Sequence, residues 1–199
     1  MSDGQQTYSP NLRGPKEAVK QNSWDTQKVW WFPMLVRGKL HVELLPADFP
    51  GENPDGVSIL VDKVRAAINL RFPQGPKPKV LFTDRGKGFY VTSTGQITGE
   101  FKAALRRNEL TAFFGDDARE QPGTLAQVLL HETAVSWTRV QLDRLYPKKP
   151  WEETRLAFGE RLRAACRAIN AEYGVDGLCR EFPLRIQKLV DREGDNLTH

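Results

Sequence analysis

At 199 residues with a net charge of +4, the chain suits a single domain that can bury a core without disulfides or metals as staples. No segment approaches the about 18 uninterrupted apolar residues of a membrane span, and the N-terminal MSDGQQTYSPNLRG lacks the basic start and apolar stretch of a secretory signal. The only cysteines, Cys166 and Cys179, have neither metal-knuckle nor redox-motif spacing, so they read as reduced structural thiols of an intracellular protein.

In chain order, residues 1–27 are polar, carry Pro, Gly and Asn, and show no period, which predicts a disordered leader ahead of one domain over residues 28–199. Residues 28–46 read as a hairpin: VWWFPMLV is an apolar strand, Arg37-Gly38-Lys39 the turn, and LHVELL alternates apolar with polar. Pro33 brings no N–H to a ladder, which predicts an edge or a bulge at that point. The breaker-rich loop PADFPGENPDG follows.

Val57, Leu60, Val61, Val64, Ala67 and Ile68 share one helical stripe, so a helix is expected over residues 57–69. The segment FPQGPKPK ends it, and residues 79–83, a short apolar run between breakers, predict a buried central strand. A short helix over 99–108 and a strand over 110–114 come next. A long helix is expected over 124–146 with Thr124 as its cap, then another from Trp151 with Phe158, Leu162, Ile169 and Tyr173 on one face, and a terminal helix over 183–191. Strands alternating with helices behind an antiparallel hairpin predict an α/β fold with a mixed sheet flanked by helices.

Asp84 stands at the C-terminal end of the expected central strand, where open α/β sheets bind ligands, and before the glycine turn Arg85-Gly86-Lys87-Gly88. It reads either as a site residue or as a turn aspartate capping that loop. Glu132 is spaced to project from the apolar stripe of the long helix, where a charge needs a cation, an exposed rim or a partner; Arg139, one heptad on, is the structural alternative. Asp116 and Asp117 are of the right type for a hard cation such as Mg²⁺, but neighbouring side chains on an extended loop diverge, so at most one of them faces a site. His131 points elsewhere around its helix. The basic residues Arg139, Arg144, Lys148, Lys149, Arg155, Arg161, Arg163, Arg167, Arg180, Arg185, Lys188 and Arg192 crowd the last third. They read as solvated helix faces or as a nucleic-acid surface.

From residue 29 onward these segments resemble the catalytic domain of mariner-type transposases, within the DDE transposase and integrase superfamily. VWWFPMLVRGKLHVELL is similar to that family's second and third strands, and VLFTDRGKGF to the strand ending in its second catalytic aspartate, here Asp84. LAQVLLHETAVSWTRVQLDRL resembles its acid-bearing helix, and LCREFPLRIQKLVDREGDNL its closing element. The resemblance implies a ribonuclease-H-like fold. It also implies metal-dependent DNA cleavage and strand transfer, with carboxylates holding two Mg²⁺ or Mn²⁺ ions that clamp the attacking and leaving oxygens.

Carried onto this sequence, it assigns Asp84 and Glu132 as catalytic ligands with Asp117 as a further metal candidate, and Arg85, Lys87, Arg139, Lys148, Lys149 and Arg185 as DNA contacts. The expected partner is DNA, with a homodimer open, no membrane, and a nuclear location in a eukaryote. The sequence departs from the family where the first aspartate should precede the hairpin: Asp25 abuts the hairpin in a polar segment. It departs again at Gln121-Pro122-Gly123-Thr124, where no acid stands in the place of the family's third. The first strand and its ligand therefore read as missing, in a truncated or domesticated member. Two other readings stay open: a binding module that kept the fold and lost the site, and an unrelated α/β enzyme using Asp84 and its glycine turn for a small phosphorylated ligand.

Overall fold

The computed structural model describes residues 5–8, 28–51, 53–83, 90–113, 115, 130–148 and 153–192. Strands β1 (Gln5–Tyr8), β2 (Lys28–Val36) and β3 (Lys39–Leu44) form an antiparallel sheet with β2 in the middle. A strand at Gln5–Tyr8 is a departure from the expected leader. It lies along β2, on the side opposite β3, in register from Gln5 beside Trp31 to Tyr8 beside Lys28.

β2 is apolar without alternation because both its faces are covered. Phe32, Met34 and Val36 pack into one core with α1 (Pro54–Arg71) and α2 (Gly99–Arg107), through Val57, Leu60, Val61, Val64, Phe101 and Ala104. Val29 and Trp31 pack into a second core with α3 (His131–Arg144) and α4 (Arg155–Glu172), through Val135, Leu142, Phe158, Leu162 and Ala165. The antiparallel sheet is thus the middle layer of three.

Arg37 and Gly38 both have positive φ, 45° and 68°, the pairing that a tight two-residue hairpin turn requires. The Leu45 amide donates to the Trp30 carbonyl at 3.0 Å. By the parity of the antiparallel ladder, the even-numbered residues of β2 then bond to β3 and the odd-numbered ones turn their backbone groups the other way. Pro33 is odd-numbered, so its missing N–H takes no bond from the β3 ladder. The described ladder to β1 stops at Trp31, short of Pro33. The ring of Pro33 thus costs the β3 ladder no bond, which reconciles the proline with its position.

The outer edge of β3 is closed by a side chain. The Leu40 amide donates to Asn170 Oδ1 at 2.8 Å, and Asn170 Nδ2 donates back to the Leu40 carbonyl at 2.8 Å, so the carboxamide on α4 mimics one rung of a further strand.

Helix α1 is longer than its apolar stripe because Asn53 caps it upstream, accepting from the Gly56 amide at 3.0 Å with Pro54 in the first turn. Helix α2 follows Thr98, which accepts from the Phe101 amide. It is tied to α1 by Arg107 to Asp62 at 3.0 Å and Asn108 to Asp62 at 2.7 Å.

The expected central strand proves short. β4 (Val80–Leu81) pairs in parallel only with β5 (Thr111–Ala112), and Val80 is 46% exposed while Leu81 is buried. Among the described residues this pair shares no ladder with the antiparallel sheet, so the expected single mixed sheet is two sheets. The pair packs through Leu81 and Ala112 onto the core under α1 and α2.

Most of the long helix's expected first half lies outside the described residues, Thr124 included; the described α3 begins at His131. Thr154, not Trp151, opens α4, accepting from the Ala157 amide at 3.2 Å. The terminal helix α5 (Val175–Asp191) begins well before Pro183, which sits inside it. Proline there removes one donor from the helical ladder, but Val175, Leu178 and Leu189 are buried, and their burial holds the helix on either side of it.

Candidate nucleic-acid and cation site

Three elements meet at the turn end of the hairpin. A cavity of about 210 Å³ there is lined by Leu35, Arg37 and Gly38 from the hairpin, Phe82 from the end of β4, Leu130 from the start of α3, and Cys179 and Phe182 from α5. Phe82 stacks on Phe113 with ring centres 4.4 Å apart and meets Phe182 edge-on at 4.8 Å, which fixes the direction in which the chain leaves β4. Thr83 follows, buried at 2% exposure, and the next residue is Asp84. Glu132 likewise follows Leu130 by two positions. The segments that lead into the two acids therefore start from one cavity.

Asp84, Arg85 and Lys87 lie outside the described residues, as do Asp116, Asp117 and Lys149. Glu132 is described and exposed, in the first turn of α3, where the positive end of the helix dipole favours a carboxylate. It does not project from the buried stripe as its spacing suggested. The buried face of α3 is Ala134, Val135, Thr138, Gln141 and Leu142, and at 100° per residue Glu132 stands about 120° around the helix from the middle of that face. The stripe expected from the sequence runs through Leu125, Val128, Leu129, Val135, Ser136 and Leu142; of its described members Val135 and Leu142 are buried, while Ser136, like Glu132, is exposed. Arg139 shares the exposed flank with Glu132.

Much of the basic excess of the last third is engaged within the chain. Arg161 is the most buried case. It forms two bonds to Glu153, at 2.7 and 2.9 Å, and a third to the Leu142 carbonyl at 2.9 Å, with both side chains under a tenth exposed. It joins the end of α3 to the start of α4. The Arg155 guanidinium donates to the Leu45 carbonyl. Arg163 pairs with Glu160, Arg180 with Asp176, and Arg185 with Glu181 at 3.2 Å. Lys148 is exposed, on the rim of a shallow groove of about 680 Å³ floored by the Arg161–Glu153 pair and flanked by Arg167 and Glu160.

Sequence reasoning passed over the polar row on β3. Lys39, His41 and Glu43 alternate on the side that faces α1, as their register against Val36, Met34 and Phe32 requires. Lys63 of α1 reaches Glu43 at 3.5 Å. His41 is pushed below its ordinary pKa of 6.5, first by burial and then by the Arg71 charge, with Glu43 opposing, and its Nε2 is buried with no hydrogen-bond partner. The alternation was visible in LHVELL, but nothing in the sequence said which helix would cover that side.

Both thiols are free. Burial raises Cys166 to about 11 and pushes Cys179 up as well, so neither is a ready nucleophile at neutral pH.

The cavity wall is apolar with one guanidinium, and suits an apolar or aromatic group more than a metal. A hard cation would need the oxygen ligands that follow Phe82 and Leu130. Among the described residues no group of three or more potential metal ligands converges, and no helix is long and apolar enough to cross a membrane. Comparison of the chain with protein-family models and with curated proteins finds no match.

Proposed function

We propose that the chain is a DNA-binding domain of transposase descent, with a ribonuclease-H-like arrangement, a cation site at Asp84 and Glu132, and, among the described residues, no third ligand to complete a strand-cutting centre. The observation that carries this reading is the shared cavity: Phe82 and Leu130, each two residues ahead of an acid, line the same space. An antiparallel sheet covered on both faces and a parallel pair whose first strand runs into Asp84 support the fold assignment.

The proposed loss of strand cutting rests on β1. It lies beside β2, ahead of the hairpin, where the resemblance places the first catalytic aspartate, and its residues Gln5, Gln6, Thr7 and Tyr8 include no carboxylate. Two acids can hold one Mg²⁺ or Mn²⁺, which would supply charge neutralisation for a bound phosphate. The two-ion clamp that splits phosphodiesters needs more ligands than these. Exposed Arg139 and Lys148 would then meet the DNA backbone, together with Arg85, Lys87 and Lys149, while Arg185 is engaged by Glu181.

Mobility-shift and plasmid-nicking assays on the full chain, with and without Mn²⁺, test this. The expected result is a DNA complex and intact supercoiled plasmid. Nicking that depends on Asp84 would restore the catalytic reading, and absence of a DNA complex at low salt would remove the DNA reading altogether.

A further inference from the structure

We propose that the hairpin turn is a phosphate site, at which Arg37 and Arg71, flanked by Lys39, hold the backbone of a DNA duplex at the mouth of the cavity. The inference rests on the DNA-binding reading above and assigns it a surface that the sequence did not single out.

The cations at this turn differ from six arginines elsewhere in what they touch. Arg65, Arg107, Arg161, Arg163, Arg180 and Arg185 each meet a carboxylate. Among the described residues, Arg37, Lys39 and Arg71 meet none within ion-pair distance. The Arg37 guanidinium instead lies over the Phe72 ring at 5.0 Å, and the Arg71 guanidinium reaches the Arg37 carbonyl at 3.5 Å. Phe72 follows Arg71 directly, so both arginines are held at the end of α1 beside the turn, and both are exposed. Asp176 lies under Gly38, where an added Cβ would come within 3.1 Å of the Asp176 Cα. That carboxylate is engaged by Arg180.

The backbone supports the same conclusion. Arg37 holds φ at 45°, in a region that glycine or asparagine occupies at far less strain. A long cationic side chain kept at such a position points to a use for that side chain. Guanidinium groups match phosphate oxygens in two-bond geometry, and Arg37 lines the cavity at the turn end of the hairpin.

The test is fluorescence anisotropy of a labelled duplex with the full chain over a salt series, for wild type, Arg37→Gly, Arg71→Gln and Arg163→Gln. Glycine suits the turn better than arginine, so Arg37→Gly should melt no lower than wild type. Glutamine at 71 retains a donor for the Arg37 carbonyl. Each of these two variants should flatten the slope of log K against log salt by about 0.9, the increment for one phosphate contact on duplex DNA. Arg163→Gln, whose parent residue is paired to Glu160, should leave the slope unchanged. Wild-type slopes in both Arg37→Gly and Arg71→Gln would overturn the phosphate site and leave the DNA reading standing. A wild-type chain with no salt-dependent DNA binding would end both.

Discussion

A histidine enclosed between a sheet and a helix, with a guanidinium nearby and one ring nitrogen unpartnered, is held in its neutral form. His41 is in that position, on β3 and facing Arg71. The unfolded chain takes up this proton near pH 6.5, whereas the folded protein takes it up only in more acid solution. Above that pH both states are neutral and His41 adds no pH dependence. As pH falls below it the unfolded state binds the proton first, and stability drops. Thermal melts from about pH 7 to about pH 5, the range in which histidine ordinarily titrates, should show His41→Leu losing less of its melting temperature than wild type. An equal or larger loss in the variant would show that His41 is not a source of acid sensitivity.

At the scale of elements, the edge of β3 leans on α4 side chains. Asn170 supplies both a donor and an acceptor to Leu40; without it the Leu40 amide loses its acceptor and the carbonyl keeps only the Cys166 thiol at 3.1 Å. Asn170→Ala should destabilise the fold by about 1–3 kcal/mol, the penalty for stranding a partly buried polar pair, measured by chemical denaturation. A loss within about 0.5 kcal/mol, the range of ordinary surface changes, would mean that water replaces the carboxamide freely.

The elements that local signals mark strongly were legible in the sequence. The hairpin followed from VWWFPMLV and its Arg-Gly turn, α1 from its six-residue stripe, and the parallel pairing of β4 and β5 from strands separated by a helix. What escaped depended on distant partners. Gln5–Tyr8 has no apolar period and becomes a strand only because β2 offers a free side. α5 runs through Pro183 because tertiary burial outweighs the lost helical bond. Glu132 left the buried stripe because the face of α3 is chosen by β2 and α4, not by the helix alone.

For the molecule as a whole, three layers place one apolar, aromatic-walled cavity at the turn end of the hairpin. There the end of β4, the start of α3 and the body of α5 come together. Arg37, Lys39 and Arg71, which meet no described carboxylate, gather on the hairpin side of that cavity, while in the last helices Arg161 joins α3 to α4, Arg155 reaches the sheet, and Arg163, Arg180 and Arg185 pair within their own helices. This division of charge suits a domain that receives a phosphate backbone at one end and is braced at the other. The functional core proposed for it is a single cation shared by Asp84 and Glu132.

That shared cation is tested most directly by titrating the full chain with Mn²⁺ and following the free ion by electron paramagnetic resonance, for wild type, Asp84→Asn and Glu132→Gln. The account predicts one bound ion per wild-type chain and loss of that ion in each variant. Retention of wild-type binding by either variant would show that Asp84 and Glu132 do not share a cation, and would contradict the proposed site.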